Sequence, residues 1–227
     1  MTTGAAKLEV LWRLADEGHR AGQSRDATFE EVGLILDRTL ERPDYDSTPG
    51  NARAFARTGG DGVHFCFLVG EAEAIRDDCP IVMCVPASSR GNVIVGADLV
   101  EFLALGTRFG FFVLEQIVYE RERFLDAYAD GDDRAFALRG EGAWQIQRIA
   151  DAFGIAPWRD VRARLAELES HEAGMKPPLP GRAPATPPSL LDFWESSLRV
   201  QESRPDDERD EGTIAMLRSK LAQLRSS

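Results

Sequence analysis

Three short apolar runs with the alternation and residue types of β-strands lie close together in the chain, at 63–69, 81–85 and 93–95. The segments between them are short and rich in turn-forming residues. A parallel crossover usually needs a dozen residues or more, so these connections favour antiparallel pairing. We therefore expect a small, buried antiparallel sheet at the centre of the fold.

Helical spacing precedes this sheet. Apolar residues recur every three or four positions over 5–18, which predicts an amphipathic helix. A second helix is predicted from Thr28, where Glu31 completes a capping box, to the residue before Pro43. The stretch 43–61 is rich in turn formers, apart from one or two helical turns expected at 51–56.

Helical spacing also follows the sheet. Asp98 is placed to cap a helix that Gly106 closes. The next apolar periodicity predicts a long, broken helix over 110–128 and two further helices at 143–153 and 158–169. The expected fold class is α+β, a small antiparallel sheet flanked by helices.

The chain is expected to divide into a globular domain at 1–171, a proline-rich linker at 172–189 and a helical tail at 190–227. An apolar tail on an extended linker is typical of a segment that binds a groove on another protein or on a second copy of the chain. The alternative is that the tail folds back on its own domain. The candidate binding residues are apolar side chains of the tail: Phe193, Trp194, Leu198, Leu217 and Leu221.

Charge and cysteine content limit the partners. The 227 residues carry a formal net charge of −11, from 38 acidic and 27 basic residues, and no basic stripe. Nucleic acid is therefore not an expected partner. A basic protein is the expected partner, and the alternative is that the acidic residues serve only to keep the protein soluble. The chain has no apolar stretch long enough to cross a membrane and no secretory signal. Its three cysteines suit a reducing compartment, so we expect a cytoplasmic protein.

A glycine-rich turn, TGGDGVHF, precedes the first predicted strand. Its GGDG resembles the phosphate-binding signature of NAD kinases and diacylglycerol kinases, in which a strand leads into the glycines and a threonine follows. Here the preceding ARAFAR is not strand-like and Val63 replaces the threonine, so a tight turn is the competing interpretation. A second turn, near 88–91, is either a backbone nest that binds an anion or a simple hairpin turn. The candidate ligand-binding residues are Gly59, Gly60, Asp61, Gly62 and Arg90.

One histidine and three cysteines have the composition of a metal site. His64 and Cys66 point to one face of a strand, and four nitrogen and sulfur ligands suit tetrahedral zinc. Cys79 and Cys84 would complete the set. The alternative is that buried thiols pack beside a core histidine and bind nothing.

The order of PIVMCVP, a turn, and NVIVGADLVEFLALG resembles the core of SMI1/KNR4-type domains, where a final strand runs into a helix bearing a Phe-Leu pair. Phe102 and Leu103 stand in that place, and the resemblance covers about residues 60–106. It implies a non-enzymatic binding module, in bacteria often an immunity protein against a toxin.

Together these patterns favour a protein-interaction module without a catalytic set or a cofactor. The alternative is a small-ligand or metal-dependent enzyme that uses the turn from Gly59 to His64 and the nearby cysteines. The two hypotheses differ in one physical respect. Side chains on the predicted sheet either fill space in the core or line a cleft.

Overall fold

The computed structural model describes most of the chain up to residue 177 and two later residues: 5–20, 22–71, 73–88, 91–128, 140–156, 158–177, Ile214 and Arg218. The chain forms two compact units, Met1–Leu179 and Pro180–Ser227. Every helix and strand given below belongs to the first unit. Arg90 and the five candidate tail residues, Phe193, Trp194, Leu198, Leu217 and Leu221, lie outside the described residues.

A five-stranded antiparallel sheet forms the centre of the first unit, with its strands in sequence order. The strands are β1 (Ile35–Leu36), β2 (Ala52–Arg57), β3 (His64–Leu68), β4 (Ile81–Cys84) and β5 (Asn92–Gly96). The three predicted strands and their antiparallel pairing are confirmed as β3, β4 and β5. With helices around the sheet, the α+β fold class is confirmed as well.

The helix predicted from Thr28 to Pro43 is wrong. Two 3-10 turns, Arg25–Ala27 and Glu30–Val32, lead instead into β1. The Thr28 hydroxyl donates to the backbone oxygen of Ala15 at 2.9 Å, so it ties this segment to the first helix, and Thr28 ends the first 3-10 turn instead of beginning a helix. Gly33, at φ 79°, then turns the chain into the strand.

The helical turns predicted at 51–56 are also wrong, because ARAFAR is β2. Alanine and arginine favour helices, and this segment is extended because it pairs with strands on both sides. The objection that no strand precedes the glycine-rich turn therefore fails. The turn joins the antiparallel strands β2 and β3. Val63 still stands where the kinase signature has a threonine.

The first helix is confirmed as α1 (Ala6–Gly18). The helix after the sheet is α2 (Leu99–Phe109), and Asp98 caps it as predicted, its Oδ1 accepting from the Glu101 backbone N at 2.8 Å. The predicted end at Gly106 is wrong, because α2 continues for three more residues. Gly106 serves packing instead: a Cβ there would lie 2.0 Å from the Phe111 ring.

The apolar periodicity over 110–128 forms a broken helix, as predicted. A 3-10 turn at Phe112–Glu115 leads into α3 (Gln116–Tyr119) and then α4 (Arg121–Tyr128). Two helices follow, α5 (Glu141–Phe153) and α6 (Val161–Leu168). The last begins later than predicted because Asp160 is its cap, accepting from the Ala163 backbone N. Trp158 precedes it, and its Nε1 donates to the backbone oxygen of Glu101.

One face of the sheet carries the aromatic core. Phe55, Phe65 and Phe67 project from β2 and β3 toward α2. The ring centroids of Phe65 and Phe102 are 4.8 Å apart, and Phe111 lies 5.2 Å from Phe102. This face accounts for many of the largest fully buried side chains, so it supplies much of the hydrophobic stabilisation.

The other face is covered by the connection between β1 and β2, residues 37–51. Its backbone bonds the sheet directly: Glu41 O accepts from Ala54 N at 2.9 Å, and Ser47 O accepts from Asn92 Nδ2 at 2.8 Å. Asn51 also accepts from the Lys176 backbone N at 2.9 Å. The start of the predicted proline-rich segment is therefore bonded to the first unit.

Within the described residues, no single helix has both the length and the apolar composition of a membrane span, while α2 and the segment Phe112–Tyr119 pass that test together across a bend of 100°.

Candidate functional site: a thiol and imidazole cluster beside a pocket

Three of the four predicted metal ligands converge under the 37–51 connection. Cys84 pairs directly opposite His64 across β3 and β4, and Cys66 follows His64 by two positions on the same face. Their ligand atoms all lie within 4.8 Å of one another, and all three residues are buried. Cys79 is not part of this cluster. It precedes β4, and its Sγ lies 3.9 Å from the backbone oxygen of Ala74.

The imidazole of His64 is held in one orientation. Its Nδ1 lies 2.7 Å from the backbone oxygen of Gly62, and its Nε2 lies 3.0 Å from the hydroxyl oxygen of Thr48. Because a carbonyl only accepts, Nδ1 is assigned as the donor. The Tyr45 ring stacks on the imidazole, with centroids 5.3 Å apart and planes 17° from parallel.

The cluster stabilises a thiolate on Cys84. A hydrogen bond from Cys66 is the largest influence on Cys84, and with His64 and Arg42 it outweighs burial and lowers the Cys84 pKa to about 6. Burial alone would lower the pKa of His64, but its interactions with Cys84 and with Gly62 raise it overall. Burial and the neighbouring Cys84 raise the pKa of Cys66. A thiolate is the form in which cysteine binds metals and acts as a nucleophile.

Sequence reasoning missed Arg42, Tyr45 and Thr48, all in the 37–51 connection. Arg42 Nη2 donates to the backbone oxygen of Thr48 at 2.9 Å and to that of Tyr45 at 3.2 Å, which braces the loop over the cluster. Its buried Nε has no hydrogen-bond partner within the described part of the chain. These residues stand in a turn-rich stretch without periodicity, so no local pattern marks them.

The glycine-rich turn and His64 line one pocket of about 290 Å³. Gly59 has φ 90° and Gly62 has φ 72°, so the tight-turn interpretation is confirmed. The turn thus brings four of the five predicted ligand residues to the pocket, together with Tyr45. The full lining is Asp37, Pro43, Tyr45, Ala54, Ala56, Arg57, Gly59, Gly60, Asp61, Gly62, Val63 and His64.

Acidic and aromatic side chains flank the same turn. The pKa of Glu115 is raised, first by burial and then by the charge of Asp61. The pKa of Tyr119 is raised by burial and by the charges of Glu115 and Asp61. The charge of Asp61 therefore influences the ionisation of both other side chains. Tyr45 lies against the turn, because a Cβ on Gly62 would lie 2.7 Å from its hydroxyl. We call Tyr45, Asp61, Glu115 and Tyr119 the turn rim.

The thiols are not placed for attack on a substrate. Cys66 and Cys84 are fully buried, whereas a reactive cysteine needs at least partial exposure. His64 is 4% exposed and faces the pocket only with its ring. His19 and His171, on the surface, bond to local groups, the Asp16 backbone oxygen and Ser170. Burial therefore keeps both thiols of the cluster away from the surface.

No family model matches this chain, and a search of the curated proteins finds no relative of it.

Proposed function

We propose that this protein is a non-enzymatic interaction module that binds a basic segment of another protein at the turn rim. One observation carries the proposal: Asp61 and Tyr45 line the same pocket, and the charge of Asp61 acts on Glu115 and Tyr119. The resemblance of residues 60–106 to SMI1/KNR4-type domains supports the same class of function.

Electrostatics favour a cationic partner. Glu115 owes its raised pKa to burial and to the like charge of Asp61, so the two carboxylates repel each other when both are ionised. Arg57 also lines the pocket, but it is not among the charges that act on Glu115. A lysine or arginine from a partner would relieve this repulsion. The formal net charge of −11 would also speed the encounter with a basic protein.

The exposed aromatics around the turn suit protein recognition. Tyr45 and Tyr119 are 42% and 44% exposed, and Phe112, seven residues before Tyr119, is 46% exposed. Tyrosine is enriched in protein interfaces because it offers a large rigid surface with a polar tip. Its ring face also attracts cationic side chains. A basic segment with apolar neighbours fits both properties.

The test uses a panel of synthetic peptides that differ in lysine and arginine content, with binding to the full chain measured by fluorescence anisotropy. We expect basic peptides to bind, and their affinity to fall with rising salt. Asp61→Asn and Tyr119→Ala should each weaken binding by about three- to tenfold.

The matched controls change the same residue types elsewhere on the first unit. Trp144, 47% exposed on α5, and the exposed Asp151 are replaced in Trp144→Ala and Asp151→Asn, and both variants should bind like the wild type. Equal binding of neutral and basic peptides, or equal losses in the control variants, would contradict the proposal.

A small ligand in the pocket is the second candidate, favoured by the pocket volume of about 290 Å³ and by the backbone of the glycine turn. A thermal-shift screen with nucleotides and other phosphorylated metabolites tests it. A ligand present at about 100 times its Kd adds roughly 2.7 kcal/mol to the stability of the folded state. A shift with such a ligand, in a protein that binds no basic peptide, would favour this candidate.

The tail provides a further element of the proposal. Phe193 and Trp194, with Leu198, Leu217 and Leu221, would bind another protein or a second copy of the chain. Replacing Phe193 and Trp194 with alanine in the full chain should then reduce self-association, measured by light scattering, or peptide binding. The three free cysteines suit a reducing compartment, so a cytoplasmic location belongs to the same proposal.

A further inference from the structure

We propose that His64, Cys66 and Cys84 bind a thiophilic metal ion, with Zn²⁺ as the expected occupant. Their three ligand atoms lie within 4.8 Å of one another on adjacent strands of the sheet. Two thiolates and an imidazole form a common donor set for zinc. The inference rests on this cluster and does not depend on what binds at the turn rim.

The orientation of His64 is that of a metal ligand. In metal sites the second ring nitrogen usually donates to a backbone carbonyl or a carboxylate, which fixes the ring. Nδ1 already donates to the backbone oxygen of Gly62 at 2.7 Å, so Nε2 carries the lone pair, which accepts from the Thr48 hydroxyl and would bind the ion in its place. The Thr48 hydroxyl, 3.0 Å from Nε2, is placed to supply an oxygen ligand or to hold a water in the fourth position.

The charges of the cluster favour a soft divalent ion. Two cysteine thiolates balance the charge of Zn²⁺, and thiolate donors select zinc over harder ions such as Mg²⁺ and Ca²⁺. Loss of either cysteine should therefore remove most of the affinity.

The pocket adjoins the cluster through one of its three ligands. It is lined by His64 and by Ala54, which pairs with Cys66 across β2 and β3. A bound ion would connect β3 and β4 and, through Thr48, hold the 37–51 connection against the sheet.

Cobalt substitution provides the test. The purified full chain is stripped with a chelator and titrated with Co²⁺, whose thiolate charge-transfer and tetrahedral d–d bands report the ligands. We expect saturation at one ion per chain and displacement by Zn²⁺. Cys66→Ala and Cys84→Ala should each lose the tight binding, and His64→Gln should weaken it by at least about tenfold.

Cys79→Ala is the matched control, because Cys79 is also a buried free thiol but lies outside the cluster. Its bands should equal those of the wild type. Circular dichroism and melting in chelator show whether each variant is folded. Absence of charge-transfer bands in the wild type, or loss of them in Cys79→Ala, would overturn the proposal.

X-ray absorption on the zinc-loaded wild type makes the outcome independent of the variants. Two sulfur ligands at about 2.3 Å, with nitrogen and oxygen completing the shell, are expected. A shell of oxygen ligands alone would show an adventitious ion and overturn the assignment. Neither experiment involves a peptide, so failure here leaves the proposed interaction function to its own test.

Discussion

The ring of His64 is fixed by groups from two separate segments. Gly62 belongs to the turn just before β3, whereas Tyr45 and Thr48 belong to the 37–51 connection. A buried imidazole needs partners for both nitrogens, since an unpaired polar group in the core costs stability. The same contacts fix the orientation of the ring within the cluster. At this position, stability and site geometry depend on the same bonds.

Thr48→Val removes the hydroxyl with little change in shape. We expect the free energy of unfolding to fall by about 1–3 kcal/mol, because Nε2 of His64 loses its partner inside the protein. Urea denaturation measures the change. Thr39→Val is the control, because Thr39 is exposed and bonds only to Asp37 next to it. A loss as large in Thr39→Val would show that the buried bond is not responsible.

Glu115→Gln should stabilise the protein and weaken its binding. The pKa of Glu115 is raised above its ordinary value of 4.5, so ionising this carboxyl costs the folded state stability as the pH rises beyond that value. The neutral amide avoids this cost. We expect a gain of about 0.5 kcal/mol or less at pH 7 and none at pH values well below 4.5.

Denaturation across this pH range, with peptide affinity measured in parallel, checks both parts of the expectation. The exposed Glu172→Gln serves as the control for loss of a negative charge. A uniform effect at all pH values would contradict the role given to Glu115 ionisation.

At the scale of the elements, a few side chains hold neighbouring elements together. Arg38, just after β1, bonds Asp16 of α1 through Nη2 at 2.7 Å and Asp26 through Nε at 2.7 Å. Gly106 lets α2 approach Phe111, which opens the next segment. Each of these contacts joins two elements of the fold through a side chain. The positions of the elements should therefore respond to single substitutions here.

Arg38→Met keeps the apolar stem and removes the charge. The hydrogen bond from Arg38 lowers the pKa of Asp16 below its ordinary value of 3.8. The resulting stabilisation is present above 3.8 and is lost as the pH falls through the lowered pKa. Because the Asp16 side chain is 37% exposed, we expect a loss of only about 1 kcal/mol at pH 7.

Stability curves at pH 7 and at low pH provide the measurement. Arg13→Met is the control, since its exposed pair with Glu17 spans 3.9 Å and should contribute almost nothing. If Arg38→Met were still less stable than the wild type at low pH, the loss would come from packing of the arginine stem and not from the ion pair.

Gly106→Ala tests the close approach of α2. The new Cβ would meet the Phe111 ring at 2.0 Å, so the ring must shift, and we expect a loss of about 1–3 kcal/mol. Gly60→Ala has nothing within 4 Å of the added atom and should change stability far less. Thermal melting compares the two. Equal melting points for the two variants would contradict the packing argument.

Across the first unit, the two faces of the sheet have different roles. Aromatic side chains pack one face against α2, while the other face holds the thiol and imidazole cluster under a loop. The turn rim lies at the end of the β2–β3 hairpin, apart from the packed rings. We therefore expect that stability and the proposed peptide binding can be changed separately.

Phe102→Ala and Tyr119→Ala should separate the two properties. Removing the fully buried Phe102 ring should cost about 3–5 kcal/mol of stability. Tyr119 is 44% exposed, and its loss should leave stability within about 0.5 kcal/mol while weakening peptide binding. Denaturation and anisotropy on both variants check this. A large loss of stability in Tyr119→Ala would place that residue in the core.

Local sequence is enough to predict β3, β4 and β5, because each is a short run rich in apolar, β-branched or aromatic residues between turn-forming segments. The same alternation places His64 and Cys66 on one face, and glycine marks the turn before them. β1 and β2 carry no such signal. Two residues are too few for a pattern, and ARAFAR is extended because of its strand partners.

The approach of Cys84 to His64 depends on register, which long-range pairing between β3 and β4 sets. The same pairing leaves Cys79 outside the cluster, although its spacing alone does not distinguish it from Cys84. Arg42, Tyr45 and Thr48 reach the site through the path of the 37–51 connection over the sheet. Periodicity reports which face a residue occupies, whereas the neighbours on that face follow from contacts between segments far apart in sequence.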